Sequence, residues 1–134
     1  MRRAVRNLTA ALLVLAVAAC GHEEAPVRHT TPADAAIAYY DLLVKGQYAD
    51  FVAGMQSCDS VTDAYREQMV TLIKQHYVEA AKVNGGLHAA SVVRTQVIDD
   101  TLAANVFLNL TYNDSTSEEI VQPMVWDGQQ WRMR

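Results

Sequence analysis

The sequence predicts an α+β fold in which amino-terminal helices pack on one face of a four-stranded antiparallel meander sheet. Two changes of pattern along the chain predict it. Apolar residues recur every three or four positions from residue 31 to residue 83, and at every second position from residue 87 onward. Short polar turns separate the segments of the second half, and strands joined by short turns pair antiparallel.

The first 19 residues predict a secretory signal peptide that precedes this fold. Arg2, Arg3 and Arg6 form a basic head, and residues 8–19 are apolar apart from Thr9. That run is too short for a membrane-spanning helix, which needs about 20 apolar residues.

The end of the apolar run, Val17-Ala18-Ala19-Cys20, resembles the lipobox of bacterial lipoprotein signal peptides. The resemblance implies cleavage before Cys20, a diacylglyceryl thioether on its thiol, and an acyl chain such as palmitate on the new amino terminus. Gly21 is not the Asp that resembles an inner-membrane retention signal, so we expect an outer-membrane location in the bacterial cell envelope. The alternative is an ordinary signal peptide followed by an unrelated cysteine.

The charge balance excludes nucleic acid as a partner. The chain has 11 basic and 15 acidic residues, and loss of three arginines with the signal peptide leaves eight against 15, a net charge near −7. Nucleic acid and polybasic membrane contacts both need clustered basic residues. We therefore expect the lipid alone to hold the chain at the membrane. Residues 20–31 are predicted to be the lipidated cysteine and a flexible tether, whose His22 and His29 are too few ligands for a metal; no cofactor is expected.

Three helices are predicted in residues 31–84. Thr31 as N-cap, Pro32 at the first helical position and Asp34 in the first turn start the first helix, and Gly46 ends it. A short second helix follows from the spacing of Tyr48, Phe51, Val52 and Met55.

The third and longest helix is predicted to run to about Val83. Ser60 and Asp63 form a weak variant of the capping box at its start, and Asn84-Gly85-Gly86 ends it. Its predicted apolar stripe, with Tyr77 at the edge, comprises Tyr65, Met69, Leu72, Ile73, His76, Ala80 and Val83.

Four strands follow, predicted at 87–98, 102–112, 118–126 and 130–133. Asp99-Asp100 forms the first turn, a polar segment around Asn113 the second, and Asp127-Gly128 a tight third hairpin. Cys58, before the long helix, is predicted to be a small buried apolar residue, because no His lies near enough to activate its thiol.

Two segments carry a family resemblance. TPADAAIAYYDLLVKGQYADF, from Thr31, and VIDDTLAANVFLNLTYNDSTSEEIVQPMVWDGQQWRM, from Val97, resemble the first helices and the carboxyl-terminal hairpins of nuclear transport factor 2-like domains. The resemblance extends from Pro32 to Met133, so residues 32–134 are predicted to be one domain. It implies a cone, in which a strongly curved sheet wraps the long helix and leaves a pocket at the wide end.

Some members of this family are isomerase-like or dehydratase-like enzymes, and others bind small molecules or form dimers through the sheet. Aromatic and methionine residues on the predicted inner faces are candidates to line the pocket, with plain core packing as the alternative. His76 is expected either to point into the pocket or to be buried against a backbone group. The candidates are Tyr39, Tyr40, Tyr65, Met69, His76, Met124 and Trp126.

Catalysis of the isomerase type needs a carboxylate base beside an oxyanion donor. Tyr39 or Tyr40 could donate, but no acid interrupts the predicted apolar strand faces, and Glu118 stands at a strand start. We therefore expect a non-catalytic module that binds a small apolar ligand or an envelope protein. The alternatives are a pocket enzyme of isomerase or hydro-lyase type and a purely structural dimerisation module.

The outer face of the second strand suggests a protein contact. Asn105, Phe107 and Asn109 alternate with the apolar inner residues, so Phe107 is predicted to face outward between two asparagines. This patch suits a homodimer or partner interface. A single exposed apolar residue without a partner is the alternative.

Overall fold

The computed structural model of the chain describes residues 31–99 and 102–134. The predicted signal peptide, Cys20, the tether and Asp100 lie outside the described residues. Helices and strands follow one another in the order α1 (Pro32–Val44), α2 (Tyr48–Ala53), a 3₁₀ turn (Gln56–Cys58), α3 (Asp63–Asn84), β1 (Leu87–Asp99), β2 (Ala103–Tyr112), β3 (Ser117–Trp126) and β4 (Trp131–Met133).

The sheet is the predicted antiparallel meander, with its strands in the order β1-β2-β3-β4. Strand β2 alternates as its sequence predicts, and the inner positions are fully buried against the helices. β1 is a 13-residue edge strand with three register shifts along its ladder to β2, which are irregularities of the bulge type that bend a sheet. The buried inner residues of β2 are Ala104, Val106, Leu108 and Leu110.

Helix α1 begins and ends where the sequence predicts. The Thr31 side chain accepts a hydrogen bond from the backbone N–H of Asp34 at 3.1 Å, which satisfies one of the free donors of the first turn. Gly46, just beyond the helix, has φ +71°, a conformation that glycine adopts without a steric cost. α1 presents its buried face, Ala35, Ala36, Tyr40 and Leu43, to the sheet.

The predicted second helix is shorter than its apolar spacing suggests. Phe51 and Val52 are buried in α2, but the helix ends at Ala53 and Met55 lies beyond it. Met55 instead forms an isolated parallel bridge with Met133 at the carboxyl end of the chain. Inclusion of Met55 in the helix was therefore wrong, because a long-range backbone contact takes the chain away from the helical path.

The predicted cap of α3 is also wrong by two residues. Thr62, not Ser60, is the N-cap, and its hydroxyl accepts from the N–H of Tyr65 at 3.2 Å. The other end is as predicted: Gly85 has φ +81° and its N–H donates to the carbonyl of Ala81.

The packed face of α3 is rotated relative to the predicted stripe. Ile73 and Tyr77 pack against the core, whereas His76 is exposed and no residue of the helix is fully buried. The helix seated most deeply on the sheet is thus α1, which corrects the expectation that the sheet wraps the long helix. The members of the predicted stripe that are exposed are Tyr65, Leu72, His76 and Val83.

The β3–β4 turn and the burial of Cys58 agree with expectation. The Asp127 carboxylate accepts from the backbone N–H groups of Gln129 and Gln130 at 2.8 and 2.9 Å, and Gly128 has φ +99°, which closes the β3–β4 hairpin. Cys58 is buried and has a free thiol. Between residues 31 and 134, with 100 and 101 left aside, no helix has the length and apolar character needed to cross a membrane.

Candidate functional site

A cavity of about 400 Å³ opens between the α1–α2 turn, the carboxyl-terminal half of α3 and the start of β1. This volume lies within the range of small-molecule sites, about 300–1,000 Å³. Five of the lining residues are aliphatic, and four carry a polar side chain. The aliphatic residues are Leu43, Val44, Val78, Ala81 and Leu87, and the remaining lining residues are Lys45, Gly46, Tyr48, Tyr77, Gly86 and Asn113.

Hydrogen bonds between the end of α3 and the β2–β3 turn fix two of the lining residues, Gly86 and Asn113. The Asn113 side-chain amide donates to the carbonyl of Gly85 at 2.7 Å, and the Asn113 N–H donates to the carbonyl of Gly86 at 2.9 Å. The N–H of Asp114 also donates to the carbonyl of Asn84. These bonds join the end of α3 to the β2–β3 turn.

Tyr77 supplies a phenol from the packed face of α3. Burial, followed by the nearby Glu118 carboxylate and Tyr48, raises its pKa. The hydroxyl is therefore protonated at neutral pH and available as a hydrogen-bond donor. The apolar spacing of α3 predicted Tyr77 only at the edge of the stripe, because this spacing does not show which face of the helix packs.

A tyrosine–carboxylate pair lies beside the cavity. Tyr112, which pairs with the lining residue Leu87 in the β1–β2 ladder, donates a hydrogen bond from its hydroxyl to Oε1 of Glu118. Burial and this bond raise the pKa of the Tyr112 hydroxyl. Glu118 pairs with buried Leu110, so it lies on the helix-facing side of β3.

Glu118 lies at the start of β3, as the sequence predicts, and its side chain is exposed. It shares the inner side of the strand with Ile120, Gln122 and Met124, at two-residue spacing.

The predicted pocket residues do not come together around this cavity. Tyr40 is buried and donates from its hydroxyl to Oε1 of Gln122 at 2.9 Å, and burial raises its pKa. Met124 is in the closed core. His76 and Tyr65 are exposed, and Met69 is half-buried. The expectation that His76 points inward, or is buried against the backbone, was wrong: its imidazole instead lies edge-on to the Tyr77 ring.

Tyr39 and Trp126 belong to a second cluster at the opposite, carboxyl-terminal edge of the sheet. The Tyr39 hydroxyl donates to the carbonyl of Trp131 at 2.8 Å, and the Trp131 ring stacks edge-on against Trp126. Burial raises the pKa of Tyr39 against the opposing effect of the Arg132 guanidinium. These aromatic side chains pack together at the β4 edge of the sheet and contribute to its structure.

Arg132 holds that cluster together through its hydrogen bonds. It was not among the site residues predicted from the sequence. Its guanidinium donates to both carboxylate oxygens of Asp59, at 2.7 and 3.2 Å, and to the carbonyls of Ala53 and Gly54 at the end of α2. The side chain is 9% exposed. These partners engage all three guanidinium nitrogens, so Arg132 acts as a structural clamp between β4, α2 and Asp59.

The predicted interface residues lie on the outer side of the sheet. Asn105, Phe107 and Asn109 are half-buried, and the guanidinium carbon of Arg94 stands 3.6 Å from the centre of the Phe107 ring. Val121 pairs with Phe107 and is exposed. Their role as an interface stays a prediction.

The described part of the chain brings together no group of three His, Cys, Asp or Glu side chains that could hold a metal ion.

A scan of the chain against protein-family models finds no match, and a search of curated proteins finds none either. The chain is similar to the crystal structure of a Campylobacter jejuni protein provisionally assigned as a nuclear transport factor 2-like transpeptidase, with a TM-score of 0.64 and 13% sequence identity. The similarity covers 78% of this chain and 97% of that chain. At this identity the likeness carries the fold alone. The predicted α+β architecture of the nuclear transport factor 2-like type is thereby confirmed.

Proposed function

We propose that this chain is a lipid-anchored protein of the bacterial cell envelope whose single domain binds a small molecule without converting it. The observation that carries the binding proposal is the cavity of about 400 Å³ between α1, α3 and β1. Its lining combines aliphatic side chains with polar groups that could fix the orientation of a small molecule.

The anchor is proposed from Cys20 alone, as the residue that follows the Val17-Ala18-Ala19 segment. Two or more acyl chains hold a protein stably at a membrane. Metabolic labelling with palmitate tests it: Cys20→Ala is expected to abolish the label, and Cys58→Ala, which removes the buried thiol, is expected to retain it. Label on the Cys20→Ala protein would rule the anchor out, and fractionation of the wild type on a density gradient tests the outer-membrane location.

Ligand capture tests the binding proposal. The full chain is purified natively and the molecules that leave it on denaturation are identified by mass spectrometry. Ala81→Phe fills the cavity from α3, and Ala64→Phe adds the same ring to an exposed position of that helix. A molecule present in wild type and Ala64→Phe but lost from Ala81→Phe supports the proposal. Equal capture by all three proteins would contradict it.

A pocket enzyme of isomerase or hydro-lyase type is the second candidate, and the Tyr112–Glu118 pair is the observation that favours it. Such reactions require a carboxylate that removes a proton next to a carbonyl and a hydroxyl that stabilises the oxyanion. Glu118 and a nearby phenol supply both types of group.

Proton exchange separates the two candidates. An enzyme of this type is expected to incorporate deuterium from heavy water into enolisable ketones, and Glu118→Gln is expected to stop the incorporation. Glu119→Gln is the matched control, since Glu119 pairs with Asn109 on the outer side of the sheet. Exchange that is absent, or that Glu118→Gln leaves unchanged, eliminates the enzyme.

A further inference from the structure

We infer that the cavity beside α3 selects a small amphipathic carboxylate, which it holds with the Lys45 ammonium at the rim and an apolar body against α3 and β1. The inference rests on the proposed small-molecule function and adds the chemical class of the ligand.

Lys45 is the one charged side chain among the described residues that line the cavity. It occupies the C-cap position of α1, where the chain turns toward α2. A single positive charge at the mouth of a small, partly enclosed space attracts an anion and repels a cation. The positive charge of Lys45 therefore favours a negatively charged ligand, although the protein as a whole is acidic.

This ammonium is also available, whereas most other basic groups of the domain are engaged. Arg66 pairs with Asp63 at 3.0 Å, Lys82 with Glu79 at 2.9 Å, and Arg132 with Asp59. Arg94 lies over the Phe107 ring. Within residues 31–99 and 102–134 no salt bridge involves Lys45, so a bound carboxylate would not compete with an internal partner.

The neutral polar groups of the rim are suited to an acceptor. Tyr48 and Tyr77 carry phenol hydroxyls, and Asn113 carries an amide whose nitrogen is held toward Gly85. Tyr77 stays protonated because burial raises its pKa. A carboxylate has only acceptor oxygens and can take a hydrogen bond from a phenol in addition to the charge of Lys45.

Glu118 is an acid close enough to raise the pKa of the lining residue Tyr77, and its carboxylate is already bound by another phenol. Glu118 accepts the hydroxyl of Tyr112 and is not part of the lining. The lining also offers aliphatic groups, from Leu43, Val78, Ala81 and Leu87. A ligand with one charged end and an apolar body can use both kinds of lining group; a sugar or a doubly charged molecule would leave polar groups against the aliphatic side chains.

Calorimetric titration of the full chain with hexanoate, hexanamide and hexylamine tests the inference, since the three probes share one apolar body. Hexanoate is expected to bind at least ten-fold more tightly than hexanamide, and hexylamine more weakly than either. Lys45→Met is expected to remove the preference for hexanoate and to leave hexanamide unchanged, while Lys45→Arg retains it. Lys74→Met, on the exposed side of α3, is the control and is expected to behave as wild type.

The outcomes separate this inference from the proposed function. Equal affinity for hexanoate and hexanamide, or a preference that survives in Lys45→Met, would overturn the carboxylate assignment and leave a small-molecule site. A preference for hexylamine would overturn it as well. Failure of all three probes to bind, together with no captured molecule from the native protein, would overturn both.

Discussion

Tyr40 on α1 donates a hydrogen bond across 2.9 Å to Oε1 of Gln122 on β3, and both side chains are buried. The Gln122 amide nitrogen donates in turn to the carbonyl of Pro123 at 3.0 Å. The pair links the first helix to the third strand through the apolar core, so a residue first considered for the pocket is part of the structural framework.

Tyr40→Phe is expected to destabilise the protein by about 1–3 kcal/mol, because it leaves the Gln122 carbonyl oxygen buried without its donor. Urea unfolding followed by circular dichroism measures the change. Gln122→Leu alone should cost a similar amount, and the double variant Tyr40→Phe/Gln122→Leu should cost less than the sum of the two. Strict additivity would show that the two groups are not coupled.

Arg132→Met is expected to lower the free energy of unfolding by about 3 kcal/mol, the lower end of the range for breaking a buried ion pair. The carbonyl of Ala53 loses its side-chain donor, whereas Asp59, whose side chain is 51% exposed, can be rehydrated. Lys82→Met removes the exposed pair with Glu79 and is expected to cost less than about 1 kcal/mol. Similar losses in the free energy of unfolding from both variants would show that Arg132 is not a structural clamp.

Asp127 is expected to give stability that disappears in acid. Burial opposes ionisation, but hydrogen bonds from the N–H groups of Gln130 and Gln129 and from Arg132 outweigh it and lower the pKa. The unfolded carboxyl has a pKa of about 3.9. Since the folded value lies below it, the stabilisation is complete above about pH 4 and is lost as the pH falls through the folded pKa.

Urea unfolding of the wild type and of Asp127→Asn, each at about pH 6 and about pH 3, measures this contribution. The wild type should lose more stability between the two pH values than the variant, in which the turn retains an acceptor oxygen but cannot titrate. Identical losses would show that Asp127 does not contribute.

Gly54→Ala is expected to destabilise the protein by about 1–3 kcal/mol through overpacking. A Cβ at this position would lie 2.3 Å from Cε1 of Tyr39, and the Gly54 carbonyl is held by the N–H of Met133. Thermal unfolding measures the loss. In a Tyr39→Leu background, Gly54→Ala should destabilise the protein less, because the clashing ring is gone. Equal destabilisation in both backgrounds would show that the loss arises from the backbone at residue 54 and not from the Tyr39 ring.

The prediction of a homodimer contact on the outer sheet face is tested by light scattering on the full chain with Cys20→Ala, which avoids lipid micelles. A dimer that Phe107→Glu converts to a monomer is the expected result, because the substitution places a charge in the apolar centre of the patch. Leu72→Glu, on the exposed side of α3, is the control and should leave the dimer intact. A wild type that is monomeric at every concentration would show this prediction to be wrong.

Local features of the chain were predictable because their causes are local. Thr31 caps α1 through its own hydroxyl, Gly85 ends α3 because its φ is positive, and Asp127 closes the last turn with its own carboxylate. Alternation along β2 determined which residues are buried, since successive side chains of a strand point to opposite faces. The α+β arrangement follows from these elements and their order.

Tertiary structure alone decided which face of α3 packs and which polar groups meet. The apolar stripe of α3 contains both Leu72 and Ile73, 100° apart on the helix, and only contact with the rest of the core selects Ile73. Arg132 reaches Asp59 and Tyr40 reaches Gln122 across 73 and 82 residues. Periodicity describes which residues share a face, but the partner of that face is set by long-range packing, which is why the cavity was found in a different place from its sequence-based prediction.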